Sequence, residues 1–351
     1  MRKYRVLGVM SGSSLDGLDF CLAEFMQEGS QWTYLIVKYL TIDFPQDIIS
    51  RLNLSSEGQE VSATDIYFGK WIGHQINEHF QTGDFEMVGI HGHTTQHNPT
   101  ENVSRQIGSA KEISKITGKV VVDNFRIQDI IKGGQGAPLV PVGEHYLFPS
   151  FKAFLNLGGI CNGSVHQKDK IIAWDIAPCN QVLNFFAKKL GLDYDKGGQI
   201  ANKGVIDKAW LQNLYDQSYF KENPPKSIGN HWVKAHFLNP TIDPRDGLAT
   251  FTAFLGKIIA ADFNRYLKRE VIHVAGGGAF NTFLIDNIRK NLHHENQLLI
   301  PDVAVIDNKE ALIFGFLGLL RTLNIENVYA SVTGASSNTI AGDIHHPTIY
   351  Y

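Results

Sequence analysis

The sequence predicts an α/β protein built from two related domains that face each other across a cleft. Three observations carry this expectation. Apolar strands alternate with amphipathic helices along the chain. A strand, a small-residue turn and a returning strand occur near the start of each half. The length, 351 residues, suits two domains.

The elements follow in order. Val6, Leu7 and Val9 lead into Ser11, Gly12, Ser13, Ser14, Asp16 and Gly17, and Leu18, Phe20 and Leu22 alternate after them. This reads as strand, tight turn and strand. Trp32 to Tyr39 reads as a third strand. Ser62 to Asp65 resembles a capping box opening a helix through Ile66, Ile72, Ile76 and Phe80. Met87 to Ile90 is a short strand ending in His91-Gly92-His93-Thr94. Ser109 to Thr117 is a helix closed by Gly118, and Val120 to Val122 is a strand running into Asp123-Asn124-Phe125-Arg126. Gly133 to Pro138 then interrupts the pattern as a linker, a hinge or a ligand loop.

The second half opens as the first does. Ala153 to Leu157 is a strand, Gly158-Gly159 a turn, and Asn162 to His166 returns. Lys170 to Trp174 is the next strand, with Asp175 directly after it. Asn180 to Leu190 is a helix, Pro224 to Ser227 is irregular, and Asp246 to Leu267 is a long apolar-striped helix. Val271 to Ala275 is a strand followed by Gly276-Gly277-Gly278 and a helix from about Asn281. Lys309 to Thr322 is a helix with Glu310 at its start, and the tail carries Val332-Thr333-Gly334. The expected domains are 1–130 plus about 328–351, and 131–327.

Bulk properties exclude several classes. Hydrophobic residues make up 43% and charged residues 19%, with a formal charge of −3, so nothing calls for nucleic acid or an anionic membrane. Cys21, Cys161 and Cys179 are odd in number and lack CxxC spacing, which favours a reducing compartment over a disulfide framework. The opening Met1-Arg2-Lys3-Tyr4-Arg5 has no signal-peptide core, and no apolar run is long enough to span a membrane. The expectation is a cytoplasmic protein acting on small molecules, and it leaves room for a homodimer.

Certain residues could carry chemistry. Consecutive N–H groups at the Gly12–Asp19 turn would form an anion-binding concavity, with an ordinary hairpin turn as the competing reading. Asp16 supplies the oxygen ligand that Mg²⁺ prefers. Gly158-Gly159 and Gly276–Gly278 are further turns at strand ends, where open α/β sheets bind ligands. A phosphate or a flat purine could lie on such bare backbone. Asp175 at a strand end is a natural general base, or a turn aspartate. His91 and His93 lack metal-protease spacing and read as ligand-facing or as turn histidines. Arg126 could clamp a substrate carboxylate bidentately or make a structural ion pair. Glu310 at a helix start could favour the helix dipole. Cys179 reads as a small buried residue.

Taken together, the motifs resemble one family along the whole chain. Met10-Ser-Gly-Ser-Ser-Leu-Asp-Gly-Leu-Asp19 is similar to the N-terminal signature of anhydro-N-acetylmuramic acid kinases. His91-Gly-His-Thr94, Asn124-Phe-Arg126, Gly133-Gly-Gln-Gly-Ala-Pro-Leu-Val-Pro141 and Leu155-Asn-Leu-Gly-Gly-Ile160 follow in the family's order. So do Pro224-Pro-Lys-Ser227, Gly276-Gly-Gly-Ala-Phe-Asn281, Glu310-Ala311 and Ser331-Val-Thr-Gly-Ala335.

The resemblance implies two actin-like ATPase (ribonuclease H-like) domains from an internal duplication, closing on ATP and Mg²⁺. It implies hydrolysis of the 1,6-anhydro ring of anhydro-N-acetylmuramic acid with phosphorylation of O6, a step of peptidoglycan recycling. The family's catalytic aspartate falls on Asp175. Nucleotide contacts fall on Gly12, Ser13, Ser14, Leu15, Asp16, Gly17, Leu18, Asp19, Gly158, Gly159, Gly276, Gly277 and Gly278, with Asp16 toward the metal. Substrate contacts fall on His91, Arg126, Asn180 and Glu310.

The chain departs from the family where Asp-Thr-Gly-Pro-Gly-Asn reads Asp175-Ile-Ala-Pro-Cys-Asn180. Ser13, His93 and Asn124 likewise replace a common Thr, Gln and Asp. The rival expectations are a plain sugar kinase acting on a reducing sugar, a non-catalytic sugar sensor, and a filament-forming subunit of the same superfold.

Overall fold

Each half of the chain starts with an antiparallel meander and extends it with parallel strands. The computed structural model describes residues 2–347 apart from Ser13, Ser14, Asp16, Asp169, Pro225, Asn239 and Pro240, and apart from the side chains of Asn230 and His231. The chain divides into two compact units, residues 1–149 with 308–351, and residues 150–307.

In the first unit β1 (Arg2–Ser11), β2 (Gly17–Glu28) and β3 (Gln31–Asp43) form the meander. Helices α1 (Gln46–Ser56) and α2 (Val61–His79) lead to β4 (Met87–Ile90). A separate hairpin of β5 (His93–Asn98) and β6 (Val103–Ile107) precedes α3 (Ala110–Thr117) and β7 (Val120–Asp123). Short helices α4 (Ile127–Ile131) and α5 (Val140–Leu147) complete this stretch. The sheet order is β3-β2-β1-β4-β7, with β1, β4 and β7 parallel.

The second unit repeats that plan. A meander of β8 (Ala153–Leu157), β9 (Ile160–His166) and β10 (Ile171–Pro178) is followed by α6 (Asn180–Lys189), α7 (Lys208–Asp216), α8 (Asn230–His236) and α9 (Pro244–Tyr266). Then come β11 (Val271–Ala275), α10 (Thr282–Asn291) and β12 (Gln297–Leu299). The order is β10-β9-β8-β11-β12, with β8, β11 and β12 parallel. Third, second, first, fourth, fifth is the ribonuclease H-like order, and the chain carries it twice, as expected. The chain then returns to the first unit through α11 (Val303–Thr322) and α12 (Ala330–Thr333), and β13 (Asp343–His345) pairs antiparallel with β7.

Strand alternation explains how the first sheet is covered on both faces. Leu7, Val9, Val88, Ile90 and Val121 pack on Phe68, Ile72, Ile76 and Ile113 of α2 and α3. The other face offers Gly8 and Gly89 to α11. A Cβ on Gly315 would lie 3.1 Å from the Gly8 Cα, and one on Gly318 would lie 3.1 Å from the Gly89 Cα. Four glycines thus let a helix backbone rest on a sheet backbone. In the second unit Trp174, Ile176, Leu155, Val274, Phe254 and Phe263 centre the core.

Several expected elements are placed differently. The first unit extends to Pro149 and regains the chain at Asn308, not at 130 and 328. The reason is local bonding: buried Asp129 accepts from the Gly136 N–H at 2.8 Å, and buried Lys309 pairs with Glu144. Ser62 lies inside α2 and no capping box forms. Asp65 instead accepts from the Gly108 N–H at 2.8 Å. β10 continues to Pro178, so Asp175 stands within the strand, at an irregularity in its pairing with β9. α11 starts at Val303, so Glu310 is mid-helix and a dipole role at a helix start falls away. Gly277 to Phe280 form a 3₁₀ turn ahead of α10. The α3 reading holds, with Gly118 at φ 66° donating to the Ser114 carbonyl at 2.9 Å. No helix among the described residues is long and apolar enough to cross a membrane.

Candidate active site

In the first unit, residues at the carboxyl ends of β4 and β7 meet. His91 follows β4, and Arg126 follows β7 after Asn124, whose φ of 53° turns the chain sharply. Arg126 donates from Nε and from one terminal nitrogen to His91 Nε2, at 3.1 and 2.8 Å, and from the other to the Gly136 carbonyl at 2.9 Å. With Nε2 accepting from a cation, the His91 proton must sit on Nδ1, which donates to the Gly92 carbonyl at 2.8 Å. Burial, and then Arg126, push His91 well below the usual histidine range, so it is neutral. In this structure both its ring nitrogens serve Arg126 and the backbone, so it orients the guanidinium.

Asp129 anchors the Gly-rich loop. It is fully buried and accepts from the Gly136 N–H and from the Thr333 hydroxyl, at 2.8 and 2.7 Å. The Gln135 N–H donates to the Thr333 carbonyl at 2.9 Å. Gly133–Pro138 is therefore neither a linker nor a hinge but a fixed wall of the Arg126 site. The half-buried Glu310 is pushed upward by burial, against the pull of Lys309 and Arg126.

The opening turn is only partly described. Ser13, Ser14 and Asp16 lie outside the described residues. Leu15 has φ 58°, a conformation leucine rarely adopts, and such strain concentrates at ligand turns. Gly17, Leu18 and Asp19 belong to β2. Leu18 is fully buried in the core, so its side chain is not a nucleotide contact. Asp19 accepts from the Thr41 hydroxyl at 2.6 Å. His93 hydrogen-bonds the buried Ser11 hydroxyl at 3.1 Å, and burial lowers it to about 4.

In the second unit two glycine turns far apart in sequence converge. The Gly158 carbonyl accepts from Asn180 N–H at 3.1 Å, and the Gly159 carbonyl from Cys179 and Gln181 N–H at 2.8 and 3.1 Å. The Asn180 side chain donates to the Leu157 carbonyl at 2.9 Å. A Cβ on Gly278 would meet both Leu157 and Asn180, whereas one on Gly277 would meet nothing within 4 Å. Gly277 thus presents bare, open backbone beside the first turn, a surface suited to a phosphate or a purine. Asn180 joins the two turns, a bracing role absent from the expectation of a substrate contact.

Asp175 lies apart from these turns in its bonding. Its Oδ2 accepts from the Ile228 N–H at 2.8 Å, its N–H donates to the Lys226 carbonyl at 3.0 Å, and its carbonyl accepts from the Tyr219 hydroxyl at 2.7 Å. Burial raises its carboxyl to about 6, partly offset by the Ile228 N–H. A carboxylate poised near neutral pH is what a general base requires. Cys179 is fully buried, in agreement with a small packing residue, and all three cysteines are free.

The parts played by Asp129, Thr333, Tyr219 and Ile228 are not legible in the sequence. Val332–Gly334 and Pro224–Ser227 are the visible signals near two of them, but neither says which distant residue it binds.

The comparisons with known proteins add the decisive observation. A model of the anhydro-N-acetylmuramic acid kinase family matches residues 4–347. The chain belongs to the anhydro-N-acetylmuramic acid kinase family. An anhydro-N-acetylmuramic acid kinase of Bacillus cereus is 31% identical over 381 aligned positions, covering 98% of this chain and 100% of that one. The protein of the same description from Clostridioides difficile (strain 630) is 32% identical, covering 96% and 97%. The family's kinases are phosphotransferases, and the twice-used ribonuclease H-like sheet is the frame on which this chain builds its site.

Proposed function

We propose that the chain is an ATP-dependent kinase that opens the 1,6-anhydro ring of anhydro-N-acetylmuramic acid with water and phosphorylates O6, giving N-acetylmuramic acid 6-phosphate. Family membership over residues 4–347 carries this reading. The environment of Asp175 supports it from the chemical side.

In this reading Asp175 takes a proton from water as the water attacks the anomeric carbon. The C1–O6 bond breaks, and O6 attacks the γ-phosphate of ATP as the bond to the β–γ bridging oxygen breaks and ADP leaves. Arg126, held by His91 and the Gly136 carbonyl, is the anion-clamping group of the first unit, with Glu310 as a second sugar contact. The bare backbone at Gly277 and the turn at Gly158-Gly159 suit the nucleotide. Asp16 is assigned to Mg²⁺ because a carboxylate is the donor that ion prefers. When bound, the ion neutralises charge on the transferring phosphoryl group. A coupled ADP-release assay tests the proposal: turnover should require the anhydro sugar, and turnover only with reducing sugars would favour a plain sugar kinase.

Two expectations arise here. A base must be ionised, so kcat/KM for the sugar should fall as pH drops below about 6, following the raised carboxyl of Asp175. A pH profile at saturating Mg-ATP with no acid limb near 6 would contradict the assignment. Asp16→Ala should impair Mg-ATP use while sugar binding stays measurable. Normal Mg-ATP affinity in this variant, read by calorimetry, would place the metal elsewhere.

A further inference from the structure

The irregularity in β10 exposes a requirement. Between Asp175 and Ala177 the regular pairing with β9 shifts, so the base sits where the strand ladder is interrupted. Asp175 keeps Asn162 as its register partner, and β10 is the edge strand of its sheet; the segment carrying Tyr219, Lys226 and Ile228 bonds to Asp175 there. We propose that Tyr219 is a positioning residue for Asp175, acting by locking this segment onto the strand. The proposal rests on the reading of Asp175 as the base.

Three hydrogen bonds join the segment to this single residue: the Tyr219 hydroxyl to the Asp175 carbonyl at 2.7 Å, the Asp175 N–H to the Lys226 carbonyl at 3.0 Å, and the Ile228 N–H to the Asp175 carboxylate at 2.8 Å. The segment is braced internally. Lys226 Nζ donates to the Tyr219 carbonyl at 3.2 Å and stands 4.6 Å from the centre of its ring. The ring packs against Trp232 and Phe220, at 5.2 and 5.5 Å between centroids. Tyr219 therefore holds the strand at one end of the segment while Ile228 holds the carboxylate at the other.

Other charged and titratable groups surround this pair and Lys226. Cys161 comes from β9, Glu222 and Lys226 lie on the segment, and Asp262 and Arg265 come from α9. Trp174 donates to Asp262 at 2.9 Å, which fixes the α9 side. None of these donates a hydrogen bond to the Asp175 carboxylate; the Ile228 N–H does. If the segment loosens, that donor drifts, the carboxylate holds its proton more tightly and its aim at the water degrades.

Tyr219→Phe deletes one hydroxyl and keeps the ring packing. We expect kcat to fall about tenfold, the worth of one buried hydrogen bond. KM for Mg-ATP should be unchanged, and the acid limb of the pH profile should move to higher pH. Lys226→Met keeps its backbone carbonyl but releases Tyr219, and should move both readouts in the same direction by less. Wild-type kcat and acid limb in Tyr219→Phe would overturn the proposal, and so would a lower kcat with an unmoved limb, which marks a purely structural role. Should Tyr219→Phe fail to fold, the same readouts on Lys226→Met decide. Asp175→Asn separates the two levels. If it retains activity, the base reading itself fails. If it is inactive while Tyr219→Phe is unchanged, only the positioning role fails.

Discussion

Asp175→Asn is expected to lower kcat by about two to four orders of magnitude, the usual contribution of a positioned proton acceptor. The amide keeps the shape and can still accept from the Ile228 N–H, so the segment that holds Asp175 stays in place. What it loses is the ability to take the proton. Mg-ATP affinity should be unchanged. Stability supplies an independent check. The Asp175 carboxyl is raised from 3.8 to about 6, so its contribution to stability is fully present below pH 3.8 and is lost as pH rises through about 6. Above that pH the folded protein carries a partly buried charge, so Asp175→Asn should melt no lower than the wild type at about pH 8. An inactive variant that melts as high as the parent identifies a group kept for chemistry. Near-wild-type turnover would remove Asp175 from the role.

The second large effect concerns Gly8. A Cβ there would fall well inside contact distance of the Ala311 carbonyl oxygen, with the Gly315 backbone N 3.1 Å away. Neither neighbour is a flexible side-chain end, so β1 or α11 must shift. Gly8→Ala is expected to destabilise the protein by about 3 kcal/mol or more, at the upper end of overpacking costs. Gly83→Ala is the control. A Cβ there meets nothing within 4 Å, and its unfolding free energy should change by no more than about 0.5 kcal/mol. Urea unfolding of the pair measures the difference, and equal midpoints would refute the account of how α11 seats on the sheet.

These two residues also mark how far a single sequence can be read. Asp175 is visible because an acidic residue at the end of an apolar run has few bland explanations once the neighbouring motifs align. Its raised carboxyl is not visible, since that comes from burial, and neither is the amide 53 positions away that partly offsets it. Gly8 looks like part of a turn signature. Its partner is about 300 residues distant, and period-two patterning says which face a residue points to but not what lies there. The repeated strand–turn–strand pattern is legible because it is local. The start of α11 is not, because the polar run Asp307–Glu310 separates its apolar first turn, Val303–Ile306, from the apolar stripe that begins at Ala311. His91 reads as ligand-facing because sequence shows the ring but not that both its nitrogens are already committed.

The central claim is that water activated at Asp175 opens the anhydro ring in the same event that frees O6 for phosphorylation. In the anhydro sugar O6 is bonded to C1 and carries no proton, so simple deprotonation cannot make it a nucleophile. Run in ¹⁸O-water, the reaction should place the label on C1 and none on the transferred phosphoryl group, whose bridging oxygen is the sugar's own O6. Attack opposite the departing O6 should give the α-anomer first. Mass spectrometry with NMR of the nascent product reads both outcomes. Labelled C1 in an initial α-anomer is the result the account predicts; unlabelled C1, or a β-anomer formed first, would contradict it.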